Sequence, residues 1–331
     1  EASQLMISSD DGFRFDNEQD KKVIIPPVTD PSIGDRTHTR DPKIWRGKDA
    51  WYLILGSTVE EKYGEVLFYR SEDLHTWTYV NKAWKGPEYG WMWECPDYFE
   101  TEGGGVLLLS AMGFLTNGEK EKNQSLCFPV TFDESECRIG IPDQYQYLDY
   151  GLDLYAPQTT LDKDGRRTMT AWVRMPEVTE EGWIGMFCSP RVVDRKDGHI
   201  YFHMHPNIRN AYSKIIRNVA EASEDGYMAA FDLEDGETID IGGFLITRKG
   251  NRIITDRTEV YPADIEGARL ISETPEIRDG FRIEVLVDPN LIEVYINDGE
   301  YVISNAVYNL ENKISCNTDK AVRLSTTGSN G

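Results

Sequence analysis

"RDPKIWRGKDAWYLILGS", Arg40 to Ser57, decides the fold. A proline opens a short apolar run, a Gly-Lys-Asp turn follows, and a second apolar run closes the stretch. Alternating runs joined by such a turn read as a β-hairpin. Proline is tolerated at the first residue of a strand because its missing N–H need not enter the ladder. The same pattern recurs in "ECPDYFETEGGGVLLLSAM" from Glu94, "YAPQTTLDKDGRRTMTAWV" from Tyr155 and "SPRVVDRKDGHIYFHMH" from Ser189. Pro42, Pro96 and Pro157 are spaced by 54 and 61 residues, whereas Pro190 follows 33 residues later. The first three therefore read as the starts of successive units, and the fourth as the outer hairpin of the third unit.

A second echo has the same period. "SDDGFRF" from Ser9 and "SEDLHTW" from Ser71 share Ser-x-Asp and a following aromatic, 62 residues apart. Repeats of roughly 40 to 60 residues built from antiparallel hairpins are the mark of propeller blades. In that architecture every innermost strand begins at one mouth of the central channel. The residues ahead of the three prolines are thus expected to converge on one pocket: Arg40 and Asp41, Glu94 and Cys95, Asp153 with Tyr155. From Tyr227 onward, short alternating strands such as "FRIEVLVD" and "LIEVYINDGEYVIS", with a hairpin turn at Asn297 to Gly299, predict a β-sandwich. The expected organisation is all-β: a partial propeller at 1–212, a helical or linker-like connector at 213–226, and a sandwich at 227–331.

Composition narrows the partners. With 57 acidic against 35 basic residues and a formal charge of −22, the chain repels phosphate backbones and anionic lipid heads, so neither nucleic acid nor membrane is an expected partner. The apolar run from Val106 to Leu115 is far short of the ~20 residues of a membrane span. Five cysteines without a C-x-x-C pair suit reduced, buried thiols and a cytoplasmic location. His203 and His205 share one strand face but have no third ligand nearby, so no metal and no cofactor are expected.

The chemistry is concentrated in "WMWECPDYFE", Trp91 to Glu100, where Glu94 stands between two tryptophans and a Cys-Pro. A carboxylate buried among aromatics holds its proton to higher pH, the property a general acid needs. Trp93 would then form a wall for sugar stacking. Two carboxylates at the mouth of a propeller suit glycoside hydrolysis, in which one protonates the leaving oxygen and another attacks or stabilises the sugar. The alternatives are plain ones: Asp41 as a salt bridge at a strand entry, Asp153 as a cap on the third unit, Cys95 as a packing thiol.

The motifs "RDPKIW", "WECPDYF", "GLDLYAPQT", "RRTMTAWV" and "GWIGMFCSPR", in this order and spacing, resemble the invertase, β-fructosidase and levanase family, family 32 of the glycoside hydrolases. "VDPNLIEVYINDGE" resembles the C-terminal sandwich of that family. The resemblance implies a five-bladed propeller followed by a β-sandwich, and retaining hydrolysis of terminal fructosyl residues of sucrose or fructans. It makes Glu94 the acid/base, Asp41 the stabiliser of the transition state, and Arg40 part of the same substrate-binding motif.

One departure accompanies the match. The family's Asn-Asp-Pro-Asn motif, whose aspartate is the nucleophile, has no counterpart ahead of Arg40, and the "DPN" at Asp288 to Asn290 reads as a strand-end turn. Three units do not close a ring. The resemblance therefore implies that the isolated chain is inactive and either self-associates or meets an N-terminal complementing fragment. A non-catalytic carbohydrate-binding or assembly protein derived from such an enzyme is the alternative.

Overall fold

The computed structural model describes residues 1–18, 20–116, 119–120, 123–223, 226–263 and 265–328. It is all-β, apart from one helix at Pro206–Ala211 and three single 3-10 turns among these residues. The chain forms two compact units, 1–146 and 147–331.

The two larger sheets of the first unit are antiparallel, and their main strands follow chain order. One runs Arg40–Arg46, Trp51–Val59, Tyr63–Ser71, Thr78–Trp84. The other runs Met92–Thr101, Gly104–Met112, Gln124–Asp133, Arg138–Gly140. Their central strands are buried almost throughout, which explains why "WYLILGS" and "GVLLLSA" are continuous apolar runs rather than alternating ones. The seam between them is aromatic: Trp45, Tyr52, Phe68 and Tyr98 surround Phe132, with ring centroids 4.9 to 5.8 Å from it.

Trp93 fixes the approach of the two sheets. A Cβ on Gly64 would lie 2.3 Å from the Trp93 ring, and one on Gly56 would lie 2.0 Å from the Trp93 carbonyl oxygen. Only glycine fits at either place. The indole N–H donates to the Tyr89 carbonyl at 2.8 Å, so the fully buried ring has its polar atom satisfied.

The echo at Ser9 and Ser71 is one turn built twice. In each, the serine hydroxyl and the aspartate two residues on accept the backbone N–H groups of the next turn, with Gly12 and Leu74 at equivalent positive φ of 75° and 67°.

The second unit opens with Leu154–Leu161, Arg167–Val173, Arg191–Lys196 and His199–Met204, again antiparallel in chain order. The hairpin at Ser189 is thus the outer half of this sheet. Two further sheets, of six and five strands, enclose an apolar core that includes Phe231, Ile246, Ile253, Val285, Val294 and Ile303. The expected turn at Asn297–Gly299 joins Leu291–Ile296 to Tyr301–Ala306, all three residues having positive φ. Asp288 to Asn290 is the strand-end turn read from the sequence.

The segment expected as helix or linker differs. Lys214–Ile216 is a strand that pairs with Arg323–Thr326 at the edge of the six-stranded sheet, and a 3-10 turn follows at Val219–Glu221. Ile216 and Val219 are buried in the sandwich core, and that burial outweighs the helical look of the segment. Glu224 and Asp225, at the end of the expected connector, lie outside the described residues.

Candidate active site

The strands beginning at Arg40, Met92 and Leu154 share one backbone device. Each has a register shift at its proline, between Arg40 and Lys43, Glu94 and Asp97, Tyr155 and Gln158. The residue ahead of each proline is left-handed: Asp41 at φ 63°, Cys95 at 48°, Ala156 at 52°. That conformation costs a non-glycine residue about 1–3 kcal/mol and persists only where its surroundings enforce it. A bulge of this kind re-aims side chains at the end of a sheet.

In the first unit the two bulges are tied to each other, residue to equivalent residue. The Arg40 guanidinium donates to Glu94 Oε1 from Nε at 3.0 Å and Nη2 at 2.7 Å. Asp41 Oδ2 accepts the backbone N–H of Cys95 at 2.9 Å, with the Cys95 thiol 3.5 Å away. Lys43 Nζ lies 3.0 Å from Oδ2 of the fully buried Asp97. Three successive ties along the two strands hold the strained starts in register. Around them, His38 Nδ1 is 3.4 Å from Arg40 Nη1, Trp91 meets the His38 ring edge-on at 5.5 Å, and Met112 Sδ is 3.7 Å from Arg40 Nη2.

The Glu94 side chain is 18% exposed and that of Arg40 is 31% exposed, so both remain reachable while partly shielded from water. Cys95 is a packing thiol. Burial first, then the Asp41 carboxylate, pushes its pKa up to about 12, so it is protonated at neutral pH and no nucleophile.

Several expectations change here. Glu94 is not a lone carboxylate in an aromatic cage, because alternate residues of its strand face opposite ways: the buried Trp93 ring points into the sheet seam and Arg40 supplies the partner. For the same reason Trp93 presents no surface to a sugar. Asp153 belongs to the second unit, where its two carboxylate oxygens meet Arg257 Nη1 and Nη2 and Oδ2 also accepts the Ala306 N–H at 3.0 Å. It is a structural anchor there. Tyr155 is 7% exposed beneath the Arg174 guanidinium, 5.3 Å from the ring centre. His38, Trp91 and Met112 were missed. His38 lies in the bend just ahead of the strand that begins at Arg40, so no strand alternation pointed to it.

Among the described residues no group of three or more His, Cys, Asp or Glu side chains is placed to hold a metal ion. His205 accepts the Asn207 N–H at the head of the Pro206–Ala211 helix and lies 3.1 Å from Asp162, and His203 lies 3.3 Å from Asp298.

The sequence matches the pattern of the glycosyl hydrolases family 32 N-terminal domain over residues 1–206 and that of the family's C-terminal domain over residues 223–330. The chain belongs to glycoside hydrolase family 32. Its family 32 relatives include the sucrose-6-phosphate hydrolase of Vibrio alginolyticus, 27% identical over 82% of this chain and 60% of that protein. The sucrose-6-phosphate hydrolase of Bacillus subtilis is 28% identical over 92% of this chain and 67% of its own length. The chain thus spans about three fifths to two thirds of the curated relatives it matches. Among solved family 32 structures, a Bombyx mori beta-fructofuranosidase superposes with a TM-score of 0.80 at 24% identity, over 98% of this chain and 72% of that one. The Lactobacillus gasseri sucrose-6-phosphate hydrolase superposes with 0.82 at 22% identity, over 99% and 72%. These likenesses show the fold.

Proposed function

We propose that residues 1–331 carry the acid/base and the transition-state stabiliser of a retaining β-fructosidase acting on terminal fructosyl groups of sucrose or fructans. The observation that carries this reading is the coupling of the two bulged strand starts, which brings Glu94 and Asp41 to one half-exposed place through Arg40 and the Cys95 N–H. Glu94 protonates the leaving oxygen as the attacking carboxylate bonds to the fructosyl carbon and the glycosidic bond breaks, and the resulting Glu94 carboxylate then takes a proton from the water that displaces the fructosyl group from that carboxylate. Asp41, anchored through Oδ2, accepts fructosyl hydroxyls whose hydrogen bonds strengthen as oxocarbenium charge develops. Arg40 orients Glu94 through Oε1. The names of the relatives support a fructosyl substrate; Trp93, Asp153 and Tyr155 are set aside as substrate contacts.

The finer reading is a five-bladed propeller to which residues 1–212 contribute, a junction at 213–226 and a sandwich at 227–331. The attacking carboxylate is assigned to none of the residues in this sequence, and an N-terminal complementing segment is proposed to bring it; self-association is the competing fate of the chain alone. A cytoplasmic location accords with the five free thiols. Among the described residues no helix is long and apolar enough to cross a membrane. The test is sucrose hydrolysis by the chain alone and with a segment carrying the family's Asn-Asp-Pro-Asn motif. Turnover that appears only with the segment and disappears in Glu94→Gln supports the reading; full turnover in Glu94→Gln overturns it.

A further inference from the structure

The second unit contains a pocket of about 350 Å³ lined by residues of the stretch 183–189 and of the Leu291–Ile296 strand. Its volume falls within the roughly 300–1,000 Å³ range of small-ligand sites. Trp183, Phe187 and Tyr212 supply aromatic rings to its walls. Phe187 is 73% exposed and Trp183 40%, so two large rings stand open to solvent within five residues of chain. Leu291 and Glu293, which share one face of their strand, line it as well, and the exposed Asp288 adds a second carboxylate. Among the described residues lining the pocket there is neither lysine nor arginine.

Glu293 belongs to a buried triad whose charges do not balance. Arg191 donates to Asp149 Oδ2 at 2.8 Å and to Glu293 Oε1 at 2.7 Å, and all three side chains are at most 1% exposed. Both carboxylates meet donors: Asp149 Oδ1 accepts the Gly151 and Ser304 N–H groups at 2.8 Å, and Glu293 Oε2 accepts the Ser189 N–H at 3.3 Å. A protonated carboxyl needs an acceptor for its own O–H, and these partners offer none. Burial raises the Asp149 carboxyl, and Arg191 with the two N–H groups opposes that rise. Two carboxylates thus share one guanidinium, and among the described residues no second cation pairs with either. A buried charge in excess is costly unless something of opposite sign meets it. Of the two carboxylates, Glu293 is the one that lines the pocket.

We infer that this pocket binds a small organic cation, an ammonium group carried on an apolar or aromatic body. The ammonium lies between Glu293 and Asp288 and offsets the excess charge of the triad. Its body packs on Leu291 and the open rings of Trp183, Phe187 and Tyr212, whose faces attract a cation. The inference rests on the charge and walls of the pocket and is independent of the fructosidase reading.

Titration calorimetry of the whole chain with phenethylammonium tests it, with phenethyl alcohol and hydrocinnamate as neutral and anionic probes of similar shape. One site per chain is expected, with the ammonium preferred over the alcohol and the carboxylate unbound. Phe187→Ala should weaken ammonium binding about five-fold, the size of one cation–π contact. Glu293→Gln keeps the side-chain shape and should weaken it about tenfold or more, removing most of the preference over the alcohol. Asp288→Asn should weaken it less, and chiefly at low salt. Circular dichroism checks folding; Phe187 and Asp288 are exposed, so their variants decide the outcome even if Glu293→Gln does not fold. No saturable binding of the ammonium, equal affinity for the alcohol, or affinities unchanged in Phe187→Ala and Asp288→Asn, as for cations held loosely by a chain of charge −22, would overturn the inference.

Discussion

Two strand entrances of the first unit and one of the second begin with the same bulge and put it to different uses. At Asp41 and Cys95 the side chains on either side of the proline reach across to the neighbouring strand, and a carboxylate of each sheet remains partly open to solvent. At Ala156 the polar groups nearby are consumed by arginines: Asp153 by Arg257, Tyr155 by Arg174. Arg257 is 2% exposed, so that pairing is interior scaffolding. A strained backbone is therefore not itself a site. The bulge aims side chains, and what they meet decides whether they support chemistry or architecture.

The contrast can be broken most forcefully at Glu94. If it is the acid/base, Glu94→Gln lowers turnover on sucrose by roughly 10²- to 10⁴-fold in an active assembly while thermal unfolding is unchanged. Steady-state kinetics beside calorimetry measure both halves. Next comes Arg191, fully buried between Asp149 at 2.8 Å and Glu293 at 2.7 Å. Arg191→Leu leaves two buried carboxylates uncompensated and should cost about 3–5 kcal/mol in chemical denaturation, without altering the first unit's site.

A smaller effect is expected at Gly64, where an added Cβ would lie 2.3 Å from the fully buried Trp93 ring. Gly64→Ala should destabilise by about 1–3 kcal/mol through overpacking and, because it shifts the strand that carries Glu94, should lower kcat as well. Unfolding curves and kinetics on one preparation would separate the two losses. The smallest effect concerns pH. The Glu234 N–H, followed by Lys320, holds the Glu237 carboxyl at about 2, below its ordinary 4.5. A depressed carboxyl contributes stability above its unfolded pKa and loses it as pH falls through the folded one. The difference in Tm between the parent and Glu237→Gln should therefore shrink from pH 4.5 to about 2.

The hairpins and their prolines were legible because period-2 alternation and turn residues are local signals. The Ser-x-Asp echo was legible for the same reason. The Glu94 environment was not, because its partner Arg40 is 54 positions upstream and the strand's alternation sends Trp93 to the other face. Asp153 looked equivalent to Asp41 in sequence, yet its fate is set by Arg257, 104 positions downstream. Lys214–Ile216 looked helical because strand pairing with Arg323–Thr326 is likewise distant. What escaped the sequence was long-range partnership, while local backbone habit was visible.

The most direct measurement makes the same chemical change at two entrances. Asp41→Asn and Asp153→Asn are compared for kcat on sucrose in the assembly with the N-terminal segment, and for Tm. The account predicts that Asp41→Asn lowers kcat by about 10²- to 10³-fold with KM and Tm nearly unchanged. Asp153→Asn lowers Tm, because Arg257 loses its charged partner, and retains kcat per folded molecule. Equal losses of kcat in the two variants, or an Asp41→Asn enzyme that only raises KM, would contradict it.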